Sequence, residues 1–267
     1  MEQKEMRRIG FITIALAGVL SACNDDDDYG TTTPPPPPPP PTATATVITA
    51  TGDITAKVEE FRISLGPSNG TTVGEQTGGR REINWDGAAA NAFNNRNDFP
   101  ANFFNQNVKV GGIYTTPGTG FRNDSLLFVE VNPTYAAQFT AFSPAKIFAP
   151  VGSNQLDQLF QVAGQPTPAV VRGFGIVFND VDVADRTTIQ LFAQDGSSLG
   201  TFASPVRSDT QGATFVGVSF TDAIIARVRI TLGTGAMGPT VNDISAGGTI
   251  DIVALDNVIY GEPRKAF

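Results

Sequence analysis

Arg227-Val228-Arg229-Ile230-Thr231-Leu232 alternates a charged or hydroxyl side chain with a branched apolar one at every step. Successive side chains of a strand point to opposite faces, so Val228, Ile230 and Leu232 share one face and Arg227, Arg229 and Thr231 the other. One buried and one wet face is the signature of an antiparallel sheet. Similar short runs lie around it: Ser125–Val131, Val170–Phe178, Thr188–Ala193, Thr214–Phe220 and Thr249–Tyr260. Asp195-Gly196 stands between two such runs, a hairpin turn signal. No regular helices separate the strands, which disfavours a parallel α/β fold. The expectation is an all-β chain with minor helix, an antiparallel β-sandwich of jelly-roll-like topology. Its clearest β unit is 165–265. Two helices are predicted. Ile54–Leu65 places Ile54, Val58, Phe61 and Leu65 at three- and four-residue steps, with Asp53 as cap and Gly66-Pro67 as stop. The second runs from Pro133 to Phe139, with Asn132 before the proline.

Ahead of this domain, assigned to residues 47–267, the chain changes character. Lys4, Arg7 and Arg8 precede an apolar run, Ile9–Leu20, broken only by Thr13. Twelve residues reach about 18 Å as a helix, short of the ~30 Å hydrocarbon core, so residues 1–22 read as a signal peptide. Leu20-Ser21-Ala22-Cys23 resembles the lipobox of bacterial lipoproteins, which implies that Cys23 carries the lipid. Residues 23–46 then form an expected tether. Asp25–Asp28 repel one another and stay solvated, and Pro34–Pro41 forms a polyproline II spacer roughly 25 Å long at ~3.1 Å per residue. The acidic run also resembles the export signal after the lipidated cysteine of surface lipoproteins in Bacteroidetes. Tether and sorting signal both account for its composition. The expected location is the outer membrane, exposed at the cell surface, with the lipid anchor as membrane partner.

Composition removes several function classes. The formal charge is −8. Residues 1–22 hold three cations and two anions, so the remainder stands at −9 and is repelled by nucleic-acid phosphate. Cys23 is the only cysteine and there is no histidine. Thiol and Ser-His-Asp catalysis and the usual zinc ligands are therefore gone. A metal here would be a hard, oxygen-bound ion such as Ca2+.

Five blocks share a wider pattern: Gly79–Gly87, Thr116–Phe121, Phe142-Ser143-Pro144, Gly173–Asp182 and Leu255–Pro263. Together they resemble an uncharacterised family of secreted bacterial proteins, some with PEP-CTERM sorting tails, over Thr49–Pro263. The resemblance implies a secreted β-sandwich and assigns no reaction. The second half is also similar to secreted jelly-roll modules that bind sugars, an analogy of fold alone.

Three groups of side chains carry candidate chemistry. Asp180 and Asp182 follow a strand on one side of the chain, and Asp185 can turn back toward them. Close carboxylates call for a cation or donors, so these are candidate Ca2+ ligands, with solvated turn residues as the competing reading. Ile250, Ile252, Ala254 and Asp256 share a face by alternation, which buries Asp256. A buried acid needs a partner: an arginine such as Arg172, backbone amides, or a metal, as in jelly-roll modules with Ca2+ near their terminal strands. Trp85, Asn84, Asp86 and Arg80 have the composition of a sugar site, although a lone tryptophan more often anchors a core. The Asn/Phe-rich stretch Asn91–Asn107 reads as an ordered loop whose phenylalanines enter the core.

The expected function is a surface-anchored, non-enzymatic module binding extracellular glycan or matrix polymer, Ca2+ being a candidate cofactor. The alternatives are a carboxylate-based polysaccharide hydrolase drawing on Glu82, Asp86, Glu130 or Asp180, and a structural envelope protein without a small ligand.

Overall fold

The computed structural model describes residues 43–207, 209 and 211–266. The expected signal peptide, Cys23 and all but the last residues of the expected tether lie outside the described residues. Residues Thr42–Phe267 form one compact unit. The first strand starts at Thr46, one residue before the boundary read from the sequence.

The strands are β1 (Thr46–Thr51), β2 (Arg80–Ile83), β3 (Gly112–Thr115), β4 (Gly120–Asp124), β5 (Ile147–Val151), β6 (Gln155–Phe160), β7 (Ala169–Val170), β8 (Gly173–Asn179), β9 (Thr188–Phe192), β10 (Ser198–Ala203), β11 (Ala213–Ser219), β12 (Arg227–Thr231), β13 (Ala254–Gly261) and β14 (Arg264–Lys265). One sheet runs β1-β11-β8-β13-β5-β4, with β2 also on β13; the other runs β10-β9-β12-β6-β3. Every strand pairing is antiparallel. From β5 onward, setting aside the short β7–β14 ribbon, the chain visits the two sheets in the order first, second, first, second, second, first, second, first. With the inner orders β11-β8-β13-β5 and β10-β9-β12-β6, that wrapping is a jelly roll. β1, β3 and β4, from the first half of the chain, extend the edges of the same two sheets.

The main core lies between the sheets. Phe174, Ile176, Phe178, Val216, Val218, Leu255 and Val258 of the first sheet meet Leu156, Phe160, Ile189, Leu191, Val228 and Ile230 of the second. The alternation in β12 holds as read: Val228 and Ile230 are buried, and Arg227 and Arg229 bond Asp157 on β6. Asp195-Gly196 turns β9 into β10, with Gly196 at φ 84°.

Helix α1 (Thr55–Leu65) covers the outer face of the first sheet, burying Val58, Phe61 and Leu65. Its seat is a glycine pair in register, Gly175 and Gly217. A Cβ at either would stand 2.6–2.7 Å from the Phe61 ring, so only glycine lets the helix come this close. The Asp53 carboxylate accepts from Thr55 N at 3.1 Å, one residue ahead of the expected cap geometry. Pro133–Ala137 is a 3-10 turn capped by Asn132, and α2 (Phe103–Gln106) packs against β3.

Three expected strands differ. Val170–Phe178 is split, with Val170 paired to Arg264 in the β7–β14 ribbon and β8 starting at Gly173. Ser125–Val131 is a turn, not a strand, and the pairing segment is β4 just before it. Leu127 and Phe128 adopt φ values of 55° and 60°, which drives Phe128 into a satellite core with Tyr135, Phe139, Ile147, Ala149, Ile252 and Ala254. The run from Thr249 becomes strand only at Ala254, because residues 250–252 are bonded to Asp243, Ile244 and Thr234 instead.

Candidate metal centre

Strand β8 ends at Asn179, and Asp180-Val181-Asp182 follow where the chain leaves the first sheet for the second. Val181 plugs the core, and its two neighbours project elsewhere. One carboxylate oxygen from each of Asp180, Asp182 and Asp243 lies within 4.8 Å of the others. Ligand oxygens about 2.4 Å from a shared Ca2+ stay within about 4.8 Å of each other, so the spacing suits a common ion. Asp180 is fully buried, yet neither of its carboxylate oxygens has a hydrogen-bond partner; the same holds for both oxygens of Asp182. Among the described residues no Lys or Arg pairs with any acid of this group.

Asp243 and Asp251 enter from the loop between β12 and β13. Asp243 Oδ1 accepts from Ile252 N at 2.7 Å, and Oδ2 accepts from Ser245 N at 2.7 Å and Ser245 Oγ at 2.5 Å. Asp251 accepts from Asp182 N at 3.2 Å and Val183 N at 3.1 Å. Burial, then the nearby acids, pushes Asp180 up to about 8 and Asp182 to about 6. Asp251 also rises to about 6, chiefly through burial. Concentrated negative charge with no counter-charge is what an all-oxygen divalent site presents before its ion is counted.

Of the acids read from the sequence, Asp180 and Asp182 come together as alternation requires. Asp185 does not join them. It is exposed at φ 62° and lines a polar groove with Asn154, Arg186, Thr188, Thr231 and Thr234. Asp256 does not join them either. Its Oδ2 accepts from Phe142 N at 2.6 Å while Oδ1 faces Ser143 Oγ at 3.2 Å. Its hydrogen-bond partners are a backbone amide and a hydroxyl, while Arg172 bonds Ser64 O instead. Burial, reinforced by Asp86, raises Asp256 to about 7.

The sugar constellation is taken apart by the fold. Trp85 is 1% exposed, stacks on Phe148 with ring centroids 3.8 Å apart, and donates from Nε1 to Asp256 O. Asn84 is exposed and caps Asp86 N. Asp86 accepts from Lys146 N at 2.9 Å and Ser143 Oγ at 2.7 Å, and Arg80 donates to Gly66 O. Phe99, Phe103 and Phe104 enter the core beside Trp85, as the loop reading required. Of the carboxylates considered for hydrolysis, Glu82 is held by Arg62 and Asn257, and Glu130 pairs with Arg122.

Sequence reasoning missed Asp243 and Asp251. Asp243-Ile244-Ser245 is a readable turn, with the acid accepting from the amide two residues on. Nothing in its spacing, however, connects it to Asp182, 61 residues earlier.

No protein-family model matches the chain, and no curated protein matches it. The crystal structure of a two-domain protein of unknown function from Bacteroides fragilis has partial likeness, with 17% identity and a TM-score of 0.21 over 57% of this chain and 46% of that one. The chain thus spans less than half of that protein's length, and a TM-score this low bears on neither fold nor activity.

Proposed function

We propose that this chain is a lipid-anchored, surface-displayed, non-enzymatic jelly-roll module that binds extracellular glycan or matrix polymer and holds a hard divalent cation, Ca2+, at Asp180, Asp182 and Asp243. The observation that carries the cation is Asp180, wholly buried with both oxygens unpartnered beside two more carboxylates. A buried ionised acid without donors is too costly to persist unless a cation or proton neutralises it. Oxygen-only ligands favour a hard ion.

The polymer reading draws on the groove lined by Asn154, Asp185, Arg186, Thr188, Thr231 and Thr234, whose amide, hydroxyl and charged groups suit sugar hydroxyls. It adjoins the metal centre through Val183 and Gly233, both of which line it. Trp85 plays no part, being sealed in the core. The hydrolase reading is weakened because Glu82, Asp86 and Glu130 are each tied to structural partners.

A calorimetric Ca2+ titration and a glycan array, run with and without chelator, test both parts. The expected result is one bound ion per chain and glycan binding that falls with chelation. No heat of binding refutes the cation; no sugar bound under any condition refutes the polymer.

A further inference from the structure

We infer that the cation is a latch: it docks the loop of residues 233–252 onto the jelly roll, and its removal releases that loop while the sheets stay folded. This rests on the cation reading above and deepens it. The loop closes on itself at its neck, where Thr234 N donates to Asp251 O at 3.0 Å and Asp251 N to Thr234 Oγ1 at 2.9 Å. Its inner turn is self-contained as well, through the Asp243 bonds to Ser245 and Ile252. It can therefore move as a unit.

At its neck Gly233 is tied to Thr187 and Asn154, and beyond the neck the loop is tied to the body through single side chains. Tyr135 Oη donates to Val241 O at 2.8 Å and accepts from Gly238 N at 3.2 Å. Asn132 Nδ2 donates to Val241 O at 2.9 Å, and Ser245 Oγ meets Gln138 Oε1 at 2.5 Å. Asp251 takes the Asp182 and Val183 amides. Met237, Val241 and Ile250 are only partly buried against the satellite core, and Ile252, at the loop's C-terminal end, is the residue of the loop fully buried in it. Five glycines in 233–252 add backbone entropy to the released state.

The decisive term is electrostatic. The loop's charged residues are Asp243 and Asp251, with no Lys or Arg among residues 233–252, and they face Asp180 and Asp182 on the body. Across this junction an ion reverses the sign of the interaction, from repulsion between acids to shared attraction. The strands have no such dependence, since their pairing and core lie elsewhere. Release would also remove Met237, Gly238 and Pro239 as one wall of the small apolar cavity lined by Phe128, Val131 and Ala149.

Hydrogen exchange of the whole chain, followed by mass spectrometry in CaCl2 and in chelator, reads this directly. Peptides covering 236–252 are expected to exchange about tenfold faster or more in chelator, with β8, β11 and β13 unchanged. Ca2+ binding by calorimetry without any change in these peptides overturns the latch and leaves the cation reading standing. Chelation that unprotects every strand equally also overturns it, in favour of an ion needed by the whole fold. Absence of Ca2+ binding removes the cation reading and the latch with it. Asp180→Asn supplies a second arm: its loop exchange should no longer respond to Ca2+, and a full wild-type response in that variant counts against the latch.

Discussion

Asp256 makes a quantitative test of how this fold treats a buried acid that has donors but no cation. Its carboxylate is fully buried at the bulge in β13, with the Phe142 amide 2.6 Å away and Asp86 beyond the shared Ser143 hydroxyl. Burial and the Asp86 charge raise it from 3.8 to about 7. The folded state therefore holds this proton more tightly than the unfolded chain between those values. The resulting stability is complete below about pH 4 and is lost as pH rises through 7. Three units at 1.36 kcal/mol each amount to about 4 kcal/mol as an upper figure. In a domain this size, at about 2–4 °C per kcal/mol, melting should fall by roughly 10 °C from this residue alone.

Asp256→Asn keeps an oxygen for the Phe142 amide and removes the titration. Urea unfolding of both proteins at pH 5 and pH 8.5 in constant CaCl2 isolates the residue, because every other titrating group is shared. The variant should match or trail the wild type at pH 5 and exceed it at pH 8.5, by about 3 kcal/mol in the difference of differences. Parallel pH profiles for the two proteins would refute the reasoning, since Asp256 would then titrate alike folded and unfolded.

Other outcomes follow from single features. Saturating Ca2+ at about a hundred times its Kd adds about 2.7 kcal/mol, so calorimetric melting should rise by roughly 5–10 °C in the wild type and far less in Asp180→Asn; equal shifts would place the ion elsewhere. Trp85→Ala empties the centre of the aromatic cluster and should cost about 3–5 kcal/mol in urea, while Trp85→Phe leaves any glycan affinity unchanged; a loss of affinity in a folded Trp85→Phe protein would restore Trp85 as a ligand contact. Gln158 faces the core from β6 with both amide atoms unpartnered, so Gln158→Met should be neutral or stabilising by about 1 kcal/mol, and a comparable loss would reveal a partner for the amide.

Much of the fold was legible because two-residue periodicity is a property of neighbours. The β12 alternation, the Asp195-Gly196 turn and the helix stripe from Ile54 to Leu65 are each decided within a dozen residues. Ser125–Val131 misled for the same reason. Its apolar content matches a strand, but the left-handed backbone at Leu127 and Phe128 is set by a cavity that distant residues build. Asp256 is buried as its alternation with Ala254 requires, whereas the register shift in β13 reverses the side chains that follow, from Val258 on.

The candidate metal centre fails to appear in the sequence for a different reason, which lies in partners and not in residue type. Asp124 and Glu262 look no different from Asp180 as letters, yet the fold gives the first Arg122 and the second Arg81, both in buried pairs. Asp157 receives two arginines, Asp86 a lysine amide and a serine, Asp251 two backbone amides. The two acids at the end of β8 receive none. Which acids are left over depends on how the crossings from β8 to β9 and from β12 to β13 bring Asp243 beside Asp182, and a linear pattern holds no record of that meeting. A candidate site of this kind is thus found by elimination: once every available donor has been assigned, the carboxylates still lacking one mark where a proton or a bound cation has to neutralise the charge.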